Sequence, residues 1–432
     1  GGVHVNGGAD WENIFVPTGG VQVNSSANVG VGGGGTLFST GINLYGQLGL
    51  GNEATGPDMF RNLFTQVGSY LWSTVACGAY HTIAIKSDGT LWSCGRSNLG
   101  QLGFLEDPTV PENPFSVLTQ VGGDTWSAVS CGHAHTAVIK SDETLWSCGY
   151  NNNGQLGLGD SGSGTHRDVL TQVSSDTWSA VACGQYYTVA IKSDGTLWSC
   201  GSNIHGQLGL GHVTNKNIFT QVGTDNTWSA IACGDLHTIA MKLDGTLWAC
   251  GNGFQGQLGL GQEPSIPYTT EDPIWINHTL TQVGNEGPRG WSAVACGAYH
   301  TMAIHQYGTL WSCGANYKGQ LGLGNDGLIP GDEHAGTVEN VLMQVGSDTW
   351  AAIAGGSEFT SYGVATGQMI NDHTIAIKPD GTLWSCGYNN HGQLGLGGTT
   401  NIDRNTLTQI ESDDIWSTVA CGHEFSFAIV RF

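Results

Sequence analysis

Short alternations of apolar and polar positions, each closed by glycine, run along most of this chain. The clearest is Asp194-Gly195-Thr196-Leu197-Trp198-Ser199-Cys200-Gly201, followed by Gly206-Gln207-Leu208-Gly209. The surrounding stretch predicts four strands: a over 170–173, b over 178–183, c over 188–192 and d over 196–200. Each is rich in β-branched or aromatic residues and bounded by Gly, Asp, Asn or Ser, a strand composition rather than a helical one. Asp-Gly between c and d suits a two-residue hairpin turn, because glycine accepts positive φ. The same turn stands at Asp88-Gly89, Asp244-Gly245 and Asp380-Gly381, and gives way to Asp142-Glu143 and Tyr307-Gly308 in two other copies.

The pattern repeats along the chain. Gly-Gln-Leu-Gly begins at Gly46, Gly100, Gly154, Gly206, Gly256, Gly319 and Gly392. A period of about 40–50 residues marks a propeller, solenoid or array. The strand b tryptophan recurs as Trp72, Trp126, Trp178, Trp228, Trp291, Trp350 and Trp416. The strand d aromatic recurs as Phe38, Trp92, Trp146, Trp198, Trp248, Trp311 and Trp384. Two aromatics at fixed places in each unit are expected to pack blade against blade, each buried side chain contributing about 1.5–3 kcal/mol.

The ends choose between the architectures. The pattern starts at a strand d (36–40) and stops just after a strand c (427–430). Pairing these two completes a seventh unit and removes the open sheet edges. The sequence therefore predicts an all-β, seven-bladed propeller of four-stranded antiparallel blades, closed by its N- and C-terminal strands. Residues 34–432 form the propeller, and residues 1–33, rich in Gly, Asn and Ser, form an arm or linker. The chain opens Gly1-Gly2-Val3 with no methionine, as a processed product or a piece of a longer one would.

Charge narrows the partners. A formal net charge of −22, from 13 basic and 35 acidic residues, opposes nucleic-acid binding, which needs clustered Lys and Arg. It equally opposes anionic membrane surfaces. No run of about 18 apolar residues occurs, so no membrane insertion by a helix is expected.

The unit Cys-Gly-x-x-His-Thr-x-Ala-Ile-Lys-x-Asp-Gly-Thr-Leu-Trp-Ser-Cys-Gly, followed by Gly-Gln-Leu-Gly-Leu-Gly, resembles the regulator of chromosome condensation repeat. The resemblance covers about residues 35–432. It implies a rigid disc that binds other proteins, in a family of mixed function. That family includes guanine-nucleotide exchange factors, chromatin-associated proteins, ubiquitin-ligase modules, a plant light receptor and a secreted β-lactamase inhibitor. No wedge insertion or basic tail like those of the exchange factors is identifiable, and no catalytic residue carries over. A light receptor of this kind needs arginines beside clustered tryptophans, and this chain has only Arg61, Arg96, Arg167, Arg289, Arg404 and Arg431.

Few residues invite chemistry. His81, His135, His237, His300 and His373 share one place in the unit, with Tyr187 and Phe425 at that place elsewhere. Phenylalanine cannot ligate a metal, so these rings are expected to tie down blade backbone. Five units carry two cysteines 17 residues apart. That is not zinc spacing. With strand c between them the two lie about 9.5 Å apart, beyond the roughly 7 Å a disulfide spans. Free buried thiols are the expectation. A second register would join d of one unit to b of the next, as Cys94–Cys131, Cys148–Cys183, Cys200–Cys233, Cys250–Cys296 and Cys386–Cys421, leaving Cys77 and Cys313 over. Asn325-Asp326 and Asp332-Glu333 are a weak calcium pattern without EF-hand spacing. Asn24-Ser25-Ser26 and Asn277-His278-Thr279 fit the glycosylation triplet. No nucleotide loop, zinc helix, nucleophile elbow or kinase signature occurs; no enzyme activity, cofactor or metal is expected.

Positions that repeat make the scaffold, so function is sought where copies differ. Long variable segments lie at 104–117, 262–280, 325–342 and 357–372. Three join d to the next a, and the fourth interrupts a b–c connection. In an antiparallel blade both connections lie at one end, so all four crowd one face. That face offers Tyr268, Trp275, His278, His334, Phe359, Tyr362 and Met369 as partner anchors. The expected function is a non-enzymatic protein- or glycan-binding scaffold. Low Lys, high Cys and regular repeats favour an extracellular, cell-surface or virion setting, with assembly into a larger particle. The alternative is an intracellular regulator, such as a guanine-nucleotide exchange factor or a ubiquitin-ligase interaction module.

Overall fold

The computed structural model describes residues 34–51, 59–104, 115–261, 276–284, 290–324, 338–356, 371–398 and 401–431. They form seven four-stranded antiparallel blades and no α-helix. The first strand, β1 (Gly35–Ile42), belongs to the last blade. Blade I holds the inner part of β2 (Phe60–Cys77), β3 (His81–Lys86), β4 (Thr90–Gly95) and the outer part of β5 (Phe115–Cys131). Blade II follows with the rest of β5, β6 (His135–Lys140), β7 (Thr144–Gly149) and the outer part of β8 (Arg167–Cys183). Blade III comprises the rest of β8, β9 (Tyr187–Lys192), β10 (Leu197–Gly201) and β11 (Lys216–Gln221). Blade IV is β12 (Trp228–Cys233), β13 (His237–Lys242), β14 (Leu247–Asn252) and β15 (Ile276–Gln282). Blade V is β16 (Trp291–Cys296), β17 (His300–His305), β18 (Thr309–Ala315) and β19 (Val338–Thr349). Blade VI is β20 (Ala352–Gly356), β21 (His373–Ile377), β22 (Leu383–Gly387) and β23 (Arg404–Gln409).

Blade VII closes the ring with β24 (Trp416–Cys421), β25 (Phe425–Val430), β1 and the outer part of β2. β25 and β1 pair in unbroken register from Thr36↔Val430 to Gly41↔Phe425, the closure the chain ends predict. One detail differs. Strand a does not open its own unit's blade; it pairs with the preceding d and becomes that blade's outermost strand, as β15 does with β14. The N-terminal side thus contributes two strands to blade VII.

Burial follows this order. Strand c is buried along its length, as in β3, because neighbouring blades cover both faces. Strand a at the rim is half-exposed, as in β11. The strand b tryptophan enters the interface with the preceding blade: Trp126 packs with Ile83, Ile85 and Leu91 of blade I. It also meets the d tryptophan of its own blade edge-on, at 6.1 Å for Trp126–Trp146.

Gly-Gln-Leu-Gly is a clasp between blades. The corner after β1 is set by Leu48 N–H donating to Asn43 Oδ1 (3.0 Å) and Tyr45 N–H donating to Gln47 Oε1 (2.8 Å). Gly46 sits at φ 75°, and a Cβ there would come within 2.5 Å of Ser116 Cα in the next blade. Single bridges then cross from six of the seven corners to the following rim strand, among them Leu50↔Val117, Leu158↔Ile218, Leu210↔Thr279 and Leu323↔Thr406.

Candidate partner-binding site

The strand ends flanking all four variable segments lie at the same end of the blades as the b–c turns, as the pairings Cys233↔Thr238 and Asn252↔Ile276 show for blade IV. At the centre of that end the b–c turns meet. In six blades the turn has the form Cys-Gly-x-x, and the glycine is forced: a Cβ on Gly78 would lie 2.1 Å from His81 Cε1 and 2.6 Å from the Gly132 carbonyl oxygen. The amide of the first variable residue donates to the next blade's turn. Ala79 N donates to His133 O (3.2 Å), His133 N to Gln185 O (3.3 Å), Gln185 N to Asp235 O (3.4 Å) and Asp235 N to Ala298 O (3.3 Å). These turns and the strand b cysteines enclose a pit of about 50 Å³ on the propeller axis.

The variable residues of the described turns, with residues that follow strand d and Asp372, give the mouth two unlike halves. On one side, buried and half-buried rings run in series around blades VII, I, II and III. Tyr45 meets Tyr80 at 5.0 Å, Tyr80 meets His423 at 5.5 Å, His423 meets His133 at 5.8 Å and His133 meets Tyr186 at 5.5 Å. Tyr150 flanks Tyr186 at 5.6 Å, and the Arg96 guanidinium stacks over Tyr45 at 5.0 Å. Burial, and then the Arg96 charge, bring His133 down to about 4, so this half carries neutral imidazoles at pH 7. In blade VII the turn residue Glu424 takes φ 56°, a left-handed conformation unusual for a side-chain-bearing residue.

The other half is acidic. Asp235 of blade IV lines the pit and accepts from Gln185 Nε2 at 3.4 Å. Asp372, just before β21, is fully buried. Its Oδ2 lies 3.0 Å from His300 Nδ1 and accepts the Tyr299 amide at 3.1 Å. Burial first, and the Asp372 charge second, push Asp235 up to about 7. Burial and the same carboxylates raise the Tyr299 phenol.

Beneath the mouth the repeated histidines form a belt. His81 Nε2 reaches Thr136 Oγ1 (3.0 Å), His135 reaches Thr188 (3.0 Å), His237 reaches Thr301 (3.0 Å) and His300 reaches Thr374 (3.1 Å), each in the next blade; His373 reaches Ser426 (2.9 Å). Each hydroxyl donates its own proton to the glutamine carbonyl of a clasp, as Thr136 does to Gln101 at 2.7 Å. The imidazole must therefore donate from Nε2. The sequence expectation that these rings hold backbone is corrected here: they hold hydroxyls of the neighbouring blade. Asp372–His300–Thr374 has the connectivity of a catalytic triad. Thr374 is nevertheless buried and commits its proton to Gln320 O at 2.7 Å, so the arrangement braces the ring and offers no nucleophile.

A model of the RCC1-like domain matches residues 20–362, and one of the regulator of chromosome condensation (RCC1) repeat matches residues 380–429. The chain belongs to the RCC1-like domain family. It is 29% identical over 416 residues to the ultraviolet-B receptor UVR8 of Arabidopsis thaliana, covering 95% of this chain and 74% of that protein. It is 34% identical over 351 residues to the human X-linked retinitis pigmentosa GTPase regulator, of which the match spans 31%, against 81% of this chain. Among solved structures, Prp20p of Saccharomyces cerevisiae superposes with a TM-score of 0.77 at 19% identity, over 95% of this chain and 96% of that one. That likeness establishes the fold. Regulatory and binding propellers make up these relatives.

Of the anchors expected on this RCC1-like domain, His278 alone lies within the described residues. It sits in the paired rim strand β15, half-buried against Gly206 of the preceding clasp, away from the mouth. Tyr268, Trp275, His334, Phe359, Tyr362 and Met369 lie outside the described residues, as do the calcium pattern, Asn24 and the arm over 1–33. Asn277 of the second glycosylation triplet is also in β15, opposite Gly251. All twelve cysteines are free and buried, so neither disulfide register forms. Strand c separates the two of each unit, with Thr82 facing both Cys77 and Cys94. Among the described residues no His, Cys, Asp and Glu group could hold a metal, and no helix is long and apolar enough to cross a membrane. Apart from Asp372, the last residue of the 357–372 segment, the mouth residues belong to none of the long insertions. For Tyr80, His133, Tyr186, Asp235, Tyr299 and His423 the sequence signal is shorter: two variable positions between Cys-Gly and the belt residue, while Tyr45, Arg96 and Tyr150 come shortly after strand d.

Proposed function

We propose that this chain is a non-enzymatic scaffold that holds a protein partner against the face bearing the variable connections, with the channel mouth at the centre of the footprint. One observation carries the reading. The b–c turns supply Tyr80, His133, Tyr186 and His423, and the corners after β1, β4 and β7 supply Tyr45, Arg96 and Tyr150, so that seven half-buried or buried aromatic and basic side chains share one rim. Aromatic and Arg side chains around a concave centre are the composition of binding hot spots. Prp20p, which shares this fold, has binding properties toward Gsp1p and histones, and that likeness supports the protein-binding reading.

A second reading concerns the setting. High cysteine content favours an oxidising, extracellular or virion environment only if the cysteines pair, and twelve free buried thiols remove that cue. They favour the intracellular regulator, of which an exchange factor or a ligase module are the finer forms. The test is affinity capture with the full chain from its native source. Tyr80→Ser and Tyr186→Ser are compared with Leu243→Ser, an exposed position on the opposite face. Loss of the captured protein with the two mouth variants alone is the expected result; loss with Leu243→Ser alone overturns the reading.

A further inference from the structure

The acidic half of the mouth holds a charge that the fold does not answer. Asp372 has a partner: the Thr374 hydroxyl proton goes to Gln320 O, so His300 donates to Thr374 from Nε2 and needs a second proton on Nδ1 to meet Asp372 Oδ2. The pair shares that proton and is neutral as a unit. Asp372 Oδ1 is buried and, among the described residues, accepts no hydrogen bond. Asp235 stands close enough to Asp372 to feel its charge, and no cation of the described residues pairs with it. Its side-chain neighbour is the amide of Gln185, at the long distance of 3.4 Å. The Asp235 backbone bonds Gln185 N–H on one side and Ala298 O on the other, so Tyr186 and Tyr299, the residues that follow those two, stand in the flanking turns, and both phenols feel the Asp235 charge.

A half-desolvated carboxylate without a counter-ion, an orphaned buried carboxylate oxygen and flanking phenol rings favour one kind of occupant. Carboxylates gain most from a charge-assisted donor, and the faces of aromatic rings attract cations. The pit beside them, about 50 Å³, admits one small charged head. We propose that the mouth receives the cationic head of a basic side chain, a lysine ammonium or an arginine guanidinium, from the protein partner, with Asp235 as its counter-ion and Tyr186 and Tyr299 beside it. This rests on the partner-binding reading for the partner, and on the geometry of the acidic half for the charge.

The probes are Nα-acetyl-lysine amide and Nα-acetyl-arginine amide, with neutral Nα-acetyl-norleucine amide as control, titrated into the full chain by ligand-observed NMR. A cationic probe is expected to bind saturably and the norleucine amide is not. Asp235→Asn is expected to weaken the cationic probe about tenfold or more, and Tyr186→Leu by less. Affinity is also expected to fall from about pH 8 to about pH 6 as Asp235 takes up its proton. The other groups facing it are the Asp372–His300 pair, the neutral phenols of Tyr186 and Tyr299, and His133, uncharged down to about 4. Equal binding of the norleucine amide, no saturable binding by either cationic probe, or unchanged affinity in Asp235→Asn overturns the proposal. Partner capture separates the two readings. If Asp235→Asn retains the partner fully while Tyr80→Ser and Tyr186→Ser lose it, the cation site fails and the face survives. If all three retain it, the face reading fails as well.

Discussion

Replacing Asp235 by Asn removes a charge while keeping the side chain's shape and an oxygen for Gln185 Nε2. Burial and Asp372 lift this carboxyl from its ordinary 3.8 to about 7. At about 1.36 kcal/mol per tenfold change, that gap corresponds to roughly 4 kcal/mol of destabilisation when the group is forced to ionise. Asp235 is only half-buried, and water screens part of the penalty, so about 1–3 kcal/mol is the working figure. The sign follows from proton binding. Between about pH 4 and pH 7 the folded state holds the proton and the unfolded state has lost it, so stability falls as pH rises through this window. Asp235→Asn has no such loss. Urea denaturation of both proteins should give nearly equal stability at about pH 4 and a widening advantage for the variant up to about pH 8. A gap that stays constant with pH, or a variant less stable at about pH 8, refutes the charge reasoning. A stabilised variant that has also lost its cationic ligand is the behaviour of a binding residue, because sites are kept at some cost to stability.

Thr188→Val keeps shape but leaves His135 Nε2–H without a partner and the Gln155 carbonyl with only the weak Cys200 thiol donor; a loss of about 2–3 kcal/mol is expected by urea denaturation, against under about 1 for Thr171→Val in a half-exposed rim strand. Glu143 occupies the hairpin turn at φ 68°, where sister turns hold glycine, so Glu143→Gly should stabilise by about 0.5–1 kcal/mol, read as a shift of the denaturation midpoint. Burial raises the thiols, Cys183, Cys250, Cys296 and Cys421 to about 12 and the others further or in the same direction. Thiol titration should therefore find essentially no reaction in the native protein at pH 8 and all twelve cysteines in urea.

Much of the fold was legible because a propeller states its rules in every blade. Strand c reads as a continuous apolar run and strand a as a half-polar one, and these are the patterns of a strand covered on both faces and of a rim strand. The end positions of 36–40 and 427–430 forced closure. Strand a's move to the preceding blade was not legible. In the sequence a and b are neighbours joined by a few residues; β2, β5 and β8 run through both without a break, yet their two halves belong to different blades. Only the pairing partner decides this, and that partner is the preceding d, across the variable d–a connection, as in Trp92↔Gln120. The histidines failed to reveal their role for a similar reason. The chain shows His-Thr as adjacent residues, whereas the bond runs from one blade's His to the next blade's Thr, 55 residues on for His81 and Thr136.

The candidate site shows what repetition hides. Weighting differences between copies by their length picks out the four long connections and passes over pairs such as Ala79-Tyr80, His133-Ala134, Gln185-Tyr186, Asp235-Leu236 and Ala298-Tyr299. Yet a long connection at the rim and a two-residue change on the axis are not equal in effect. Among the described residues, five turns from blade I to blade V are joined in series by backbone hydrogen bonds, so one altered residue there faces several blades at once. Asp235 illustrates this: its amide bonds blade V, its carboxylate meets Gln185 of blade III, and Asp372 of blade VI sets its charge. A carboxylate at the first variable position of the blade IV turn thus breaks the symmetry of the mouth. In a closed ring of near-identical units, the singular residues nearest the axis are where binding specificity is most economically placed, and Asp235 is the one whose replacement tests it.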